Sequence, residues 1–162
     1  MNELYTVRVS KDDLVFSSGH FITFGGGDCE RLHGHNYRVG IALDGPLDEN
    51  HYVFDFIALK NHALTIIHEL DHHMLVATKN PLLKVTLDEE EVQIQYKTKR
   101  WLFPREDCVL LPLENTTVEL LGKYIATRLL DAFQRDGLPM PEAIRVEVEE
   151  NFGQTATYTR HH

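Results

Sequence analysis

The sequence predicts an α+β domain in which an antiparallel sheet packs against helices on one side. Apolar residues alternate with period two over 5–9, 14–24 and 33–43, so strand follows strand near the start of the chain. Two later segments repeat their apolar residues at helical spacing instead. Alternation returns over 144–148 and 155–159. A chain of 162 residues is long enough to bury one core, and residues 1–162 are read as a single domain.

The elements follow in order. Tyr5 to Val9 reads as a first strand. Leu14 to Phe24 reads as a second, with Phe16, Ser18, His20, Ile22 and Phe24 on one face, and Gly25-Gly26-Gly27-Asp28 breaks it. His33 to Leu43 is a third, with His33, His35, Tyr37, Val39, Ile41 and Leu43 sharing a face and Gly45-Pro46 at its end. Asp55 caps a helix on which Phe56, Leu59, Ala63, Ile66, Ile67 and Leu70 line up, with Asn80-Pro81 ending that segment. Residues 82–113 are less regular and read as an insertion with an extra hairpin, because Val92 to Tyr96 alternates. Thr116 and Glu119 make a capping box for a second helix through Val118, Leu121, Ile125, Leu129 and Phe133, which Gly137 and Pro139 end.

Composition narrows the function classes. The net charge of −9 argues against nucleic acid as a partner. Two cysteines, Cys29 and Cys108, are too few for a disulfide scaffold and fit a reducing, cytoplasmic setting. No apolar run approaches the roughly 20 residues of a membrane span, and the first residues lack a signal-peptide apolar core.

The chemistry concentrates in Cys29-Glu30-Arg31-Leu32-His33-Gly34-His35. On a strand, His-x-His turns both imidazoles to one face, about 6.5–7 Å apart along the backbone. With His20 in phase on the neighbouring strand, three neutral nitrogens can hold zinc and leave a fourth position open, the catalytic pattern. Arg31 beside Cys29 favours a thiolate that can act as base or nucleophile. Glu30 is either a surface charge or a second base beside the metal. Cys108 reads as structural. Asp71-His72 offers a carboxylate that orients an imidazole for proton transfer, or a solvated helix end. A competing motif overlaps it: His68-Glu69-Leu70-Asp71-His72 matches the H-E-x-x-H helix of zinc hydrolases. A binding or structural oligomer without catalysis is the non-enzyme alternative.

Taken together, Phe16-Ser17-Ser18-Gly19-His20, Cys29-x-x-x-His33-Gly34-His35-Asn36-Tyr37, Val53-Phe54-Asp55-Phe56, Leu70-Asp71-His72, Asn115-Thr116-Thr117-x-Glu119 and Glu150 before Tyr158 resemble the family of 6-pyruvoyl-tetrahydropterin synthase and 6-carboxytetrahydropterin synthase. The resemblance implies a tunnelling (T-) fold, a four-stranded antiparallel sheet with two helices on one side. It implies a homo-oligomer, a hexamer built as a dimer of trimers with sites between subunits. It also implies a zinc-dependent lyase acting on 7,8-dihydroneopterin triphosphate, in the queuosine-type 6-carboxy branch or, next, the 6-pyruvoyl branch. By position, His20, His33 and His35 would bind Zn2+. Cys29 would abstract a proton, with Asp71 and His72 relaying it from a neighbouring chain. Glu150 would accept the pterin's paired N–H groups, and Thr116 and Thr117 would help hold the ring. Glu30 departs from the pattern. Family variants with glutamate there and no cysteine resemble aldolase-like enzymes making 6-hydroxymethyl-dihydropterin for folate, so having both residues suggests dual activity.

Overall fold

A computed structural model describes residues 3–162. In chain order its elements are β1 (Tyr5–Val9), β2 (Val15–His20), β3 (Thr23–Phe24), β4 (Asp28–Cys29), β5 (His33–Gly45), α1 (Phe56–Leu70), β6 (His73–Ala77), β7 (Lys84–Leu87), β8 (Glu91–Tyr96), β9 (Lys99–Pro104), β10 (Cys108–Leu111), α2 (Val118–Arg135), β11 (Ala143–Asn151) and β12 (Gln154–His161).

β5 is the spine. Its long alternating run supplies two partners along one edge: β1 pairs with its end at Ile41–Gly45, and β2 with its start at His33–Arg38. The other edge pairs with β11, which pairs with β12, and all these ladders are antiparallel. The expected four-stranded antiparallel unit is therefore β2–β5–β11–β12. It is extended by β6 beside β2 and β10 beside β6, both parallel, giving a mixed sheet of seven strands.

Both helices lie on one face. α1 buries Leu59, Ala63, Ile66, Ile67 and Leu70, while α2 buries Leu121, Ile125, Ala126, Leu129 and Phe133. They meet Phe16, Tyr37, Val39, Ile41 and Leu43 from the sheet. Each such Leu, Ile or Phe contributes roughly 1.5–3 kcal/mol when fully buried.

Four expectations need correction. β2 stops at His20, so Ile22 and Phe24 leave its face; Phe21 instead enters a second apolar cluster with Met74, Val76, Val92 and Ile94. α1 ends at Leu70, well before Asn80, because the Asp71 carboxylate accepts the Ser17 backbone N–H at 2.7 Å and His72 turns left-handed with φ 59°. The N-cap of α2 is Thr117, whose hydroxyl accepts from Leu120 N, so Thr116 and Glu119 form no capping box. Within residues 82–113 the chain forms a three-stranded antiparallel meander, β7–β8–β9, rather than one hairpin, and then β10 joins the main sheet.

Candidate metal centre and active site

The β2–β5 register sets His20 directly opposite His33 and Ser18 opposite His35. Alternation then gives His20, His33 and His35 one parity, shared with Phe16 and Tyr37 of the core face. One nitrogen from each histidine lies within 4.8 Å of the others.

Each ring is held differently. His20 is 2 % exposed, and its Nδ1 lies 3.0 Å from the Thr116 carbonyl. A carbonyl only accepts, so Nδ1 carries the proton and Nε2 presents its lone pair. That Nε2 is buried with no hydrogen-bond partner. Burial lowers the His20 pKa to about 4, against the support of the Thr116 carbonyl, so the ring is neutral at physiological pH. His33 donates Nδ1–H to the Arg31 carbonyl at 2.8 Å, which likewise leaves Nε2 free. A neutral, oriented, unpartnered imidazole beside two others is the donor set a borderline-soft cation such as Zn2+ takes, and backbone carbonyls on the far nitrogens are the usual outer support. Three nitrogens leave the remaining coordination position to a small ligand.

Two carboxylates flank the cluster. Glu30 Oε2 lies 3.9 Å from His33 Nε2 and accepts the Ile22 backbone N–H at 3.1 Å. Glu150 Oε2 lies 3.9 Å from His35 Nε2. Cys29 takes a different course. Its thiol is half-buried against the second apolar cluster, and burial raises its pKa, with Lys99 opposing and Glu30 adding to the rise. The expected thiolate stabilised by Arg31 is thus not what this environment favours; the cation that acts on the thiol is Lys99 of β9.

Asp71 and His72 do form a pair, with His72 Nδ1 at 2.8 Å from Asp71 Oδ2. The His72 side chain is exposed and borders an open groove lined by Ser17, Gly19, Gly34 and Asn36 and, on the same side, by His33 and His35. Because α1 has ended, His68 and His72 do not share a helix face, and Glu69 is engaged by Arg128 at 2.8 Å; the H-E-x-x-H arrangement is not formed. Thr116 is buried and backs His20, while Thr117 caps α2.

Sequence reasoning missed Tyr37 as a site residue. Its ring packs edge-on to His20 and His35 at 5.9 and 5.6 Å, and its hydroxyl is buried without a partner. Burial, with Glu150 and Glu30 nearby, pushes its pKa upward, so it is a donor. Its parity with His33 and His35 was the available signal.

Residues 8–161 match the sequence model of the family described as 6-pyruvoyl tetrahydropterin synthase. The chain belongs to that family. A Methanocaldococcus jannaschii relative, provisionally named a 6-carboxy-5,6,7,8-tetrahydropterin synthase, is 33% identical over 149 residues, covering 91% of each chain. A Pyrococcus abyssi relative with the same provisional name is 34% identical over 117 residues, 72% of this chain and 69% of its own. Among solved structures, Plasmodium vivax 6-pyruvoyltetrahydropterin synthase superposes with a TM-score of 0.91 at 29% identity, covering 99% of both chains. Two of its structures are of variants described as catalytic-residue mutants, in which a glutamate is replaced by alanine or by cysteine. The Plasmodium falciparum enzyme superposes at a TM-score of 0.89 with 28% identity, covering 99% of this chain and 100% of its own. The α+β T-fold is shared with these neighbours, and the chain is an enzyme of the same family.

Proposed function

We propose that this chain is a zinc-dependent lyase that converts 7,8-dihydroneopterin triphosphate to a 6-substituted pterin, with 6-carboxy-tetrahydropterin the favoured product and 6-pyruvoyl-tetrahydropterin the next. The observation that carries this reading is the convergence of His20, His33 and His35 with a buried, unpartnered Nε2 on His20. The archaeal relatives' names favour the 6-carboxy branch. Zinc held by the three imidazoles would supply Lewis-acid polarisation of substrate oxygens.

The protein's own groups do the rest. The Glu150 carboxylate accepts parallel N–H bonds from the pterin edge, while Thr116 acts from behind His20 and Thr117 from the N-cap of α2. Asp71 accepts Nδ1–H of His72 and fixes its tautomer, so Nε2 exchanges protons with the substrate side chain. The site is completed between chains of a homo-oligomer, a hexamer. The absence of a strand partner on the outer edges of β10 and β12, among the described residues, supports this.

A second reading concerns the base. Cys29 and Glu30 both precede the histidines, but of the two it is Glu30 that stands beside them, and the glutamate replaced in the Plasmodium vivax variants is described as a catalytic residue. Glu30 as base would add a 6-hydroxymethyl-dihydropterin product. Incubating the zinc-loaded protein with dihydroneopterin triphosphate and identifying products by mass spectrometry separates the branches. Glu30→Ala is expected to remove the 6-hydroxymethyl product, and Cys29→Ala the 6-carboxy product. Mixed His72→Ala and Cys29→Ala chains are expected to regain turnover. An assembled, zinc-replete protein that leaves the substrate intact would refute the proposal.

A further inference from the structure

The meander β7–β9 carries no cluster histidine and no candidate base, yet it touches the loop that carries both candidate bases. That loop is a short β3–β4 hairpin whose turn has no side chains to pack: Gly25, Gly26 and Gly27 run at φ 56°, 74° and 140°, and the Gly27 N–H donates to the Phe24 carbonyl at 3.1 Å. The meander adds contacts to those of the loop itself. The Tyr96 hydroxyl, at the end of β8, donates to the Gly27 carbonyl. Trp101, on β9, stacks on Phe21 at 4.4 Å between ring centroids, just before the loop begins. Val92 and Ile94 of β8 build the cluster against which the Cys29 side chain lies, with Trp101 and Phe103 packed on the same cluster. Lys99, paired with Tyr96 across the β8–β9 turn, is the cation whose field reaches the Cys29 thiol.

The next residue points the other way. Glu30 is anchored by the Ile22 N–H and stands 3.9 Å from His33 Nε2. Neighbouring side chains on an extended segment alternate, so one loop conformation packs the thiol away and presents the carboxylate.

We propose that the β7–β9 meander is a positioning element for the Gly25–Glu30 loop, holding the Cys29 thiol in apolar packing and Glu30 beside the histidines, and thereby setting which of the two acts on substrate. The positioning half stands on these contacts alone; the half concerning substrate rests on the function proposed above. Tyr96 and Trp101 are the positioning residues. Tyr96→Phe removes only the donor to Gly27, and Trp101→Ala removes the stack on Phe21.

The test reads Cys29 directly. Alkylation by iodoacetamide is followed peptide by peptide across pH 6–9, with zinc binding by the same samples as the measure of an intact histidine cluster. Freeing the thiol from apolar packing raises its thiolate fraction, so Cys29 in Tyr96→Phe is expected to alkylate about tenfold faster than in the parent, with its pH midpoint lowered and zinc affinity unchanged. Trp101→Ala is expected to go further in the same direction. In the product assay, both variants should shift the ratio toward whichever product Cys29→Ala abolishes. Unchanged Cys29 alkylation in both variants overturns the proposal, as does acceleration accompanied by zinc loss, which would mean general loosening. An altered thiol with an unaltered product ratio overturns the selection of base. A parent protein inert toward the substrate refutes the lyase reading, and the alkylation profile still decides the meander's role.

Discussion

Between His33 and His35 stands Gly34, and the missing side chain sets how closely the two ligand strands approach. A Cβ there would lie 3.0 Å from the backbone carbonyl oxygen of Ser18, which cannot swing aside as a side-chain end could. Gly34→Ala therefore parts β2 from β5 by a few tenths of an ångström beside the rung that pairs His20 with His33. Metal sites tolerate little displacement of their ligands, and the expected loss is about tenfold in zinc affinity, read by competition with a chromophoric chelator. Affinity equal to the parent's would show that the strands' spacing does not control the cluster. At this scale much was legible in the sequence. The shared parity of His20, His33 and His35 follows from counting along two strands. The carbonyl of Thr116 that orients His20 did not, because a backbone acceptor 96 residues away leaves no mark on residue types. Nor did the direction of the Cys29 side chain, which depends on an apolar cluster completed by residues up to Leu110.

At the scale of elements, β1, β2, β5, β8, β11, β12 and both helices were read from periodicity, while β6, β7, β9 and β10 were not, and the errors fell where long-range contacts decide. The H-E-x-x-H spacing suits a continuing helix; α1 ends instead because Asp71 bonds the backbone of Ser17, a partner on β2. Residues 82–113 hid a three-stranded meander because only β8 alternates cleanly, with Val92, Ile94 and Tyr96 inward, while β7 and β9 are mostly exposed. Its tight turn offers a test. Lys97 sits between β8 and β9 at φ 51°, a left-handed conformation that costs a side-chain-bearing residue and suits glycine. Lys97→Gly is expected to stabilise the fold by about 0.5–1 kcal/mol. A chemical denaturation midpoint no higher than the parent's would show that the contact of Lys97 with the Tyr96 ring, at 5.0 Å, outweighs the strain.

Across the whole molecule, the sheet face away from the helices is tied by paired charges. Arg145 makes two bonds of 2.6 Å to Asp44, linking β11 to β5, and Arg8 pairs with Glu147, linking β1 to β11 across Gly40. The Arg145 guanidinium holds the Asp44 carboxyl below its ordinary range, and Arg8 does the same for Glu147. For a carboxyl depressed in the folded state, the stabilisation is present above its unfolded-state pKa and is lost as pH falls through the folded value. Stability is thus expected to hold near neutrality and to fall progressively below about pH 4. Asp44→Asn should flatten that fall and cost about 1–3 kcal/mol at pH 7; urea titrations at both pH values measure it, and an unchanged acid limb would exclude the pair as its source.

β5 carries the molecule's most general consequence. The same odd-numbered positions, His33 through Leu43, place two of the clustered histidines and the sheet's apolar face, so core and cluster depend on one choice of phase. A slip of one residue would bury charge and turn both imidazoles outward at once. The proposed cation binding would thus work as a checksum on folding, because a chain that has paired out of step cannot give the correct answer at the histidines.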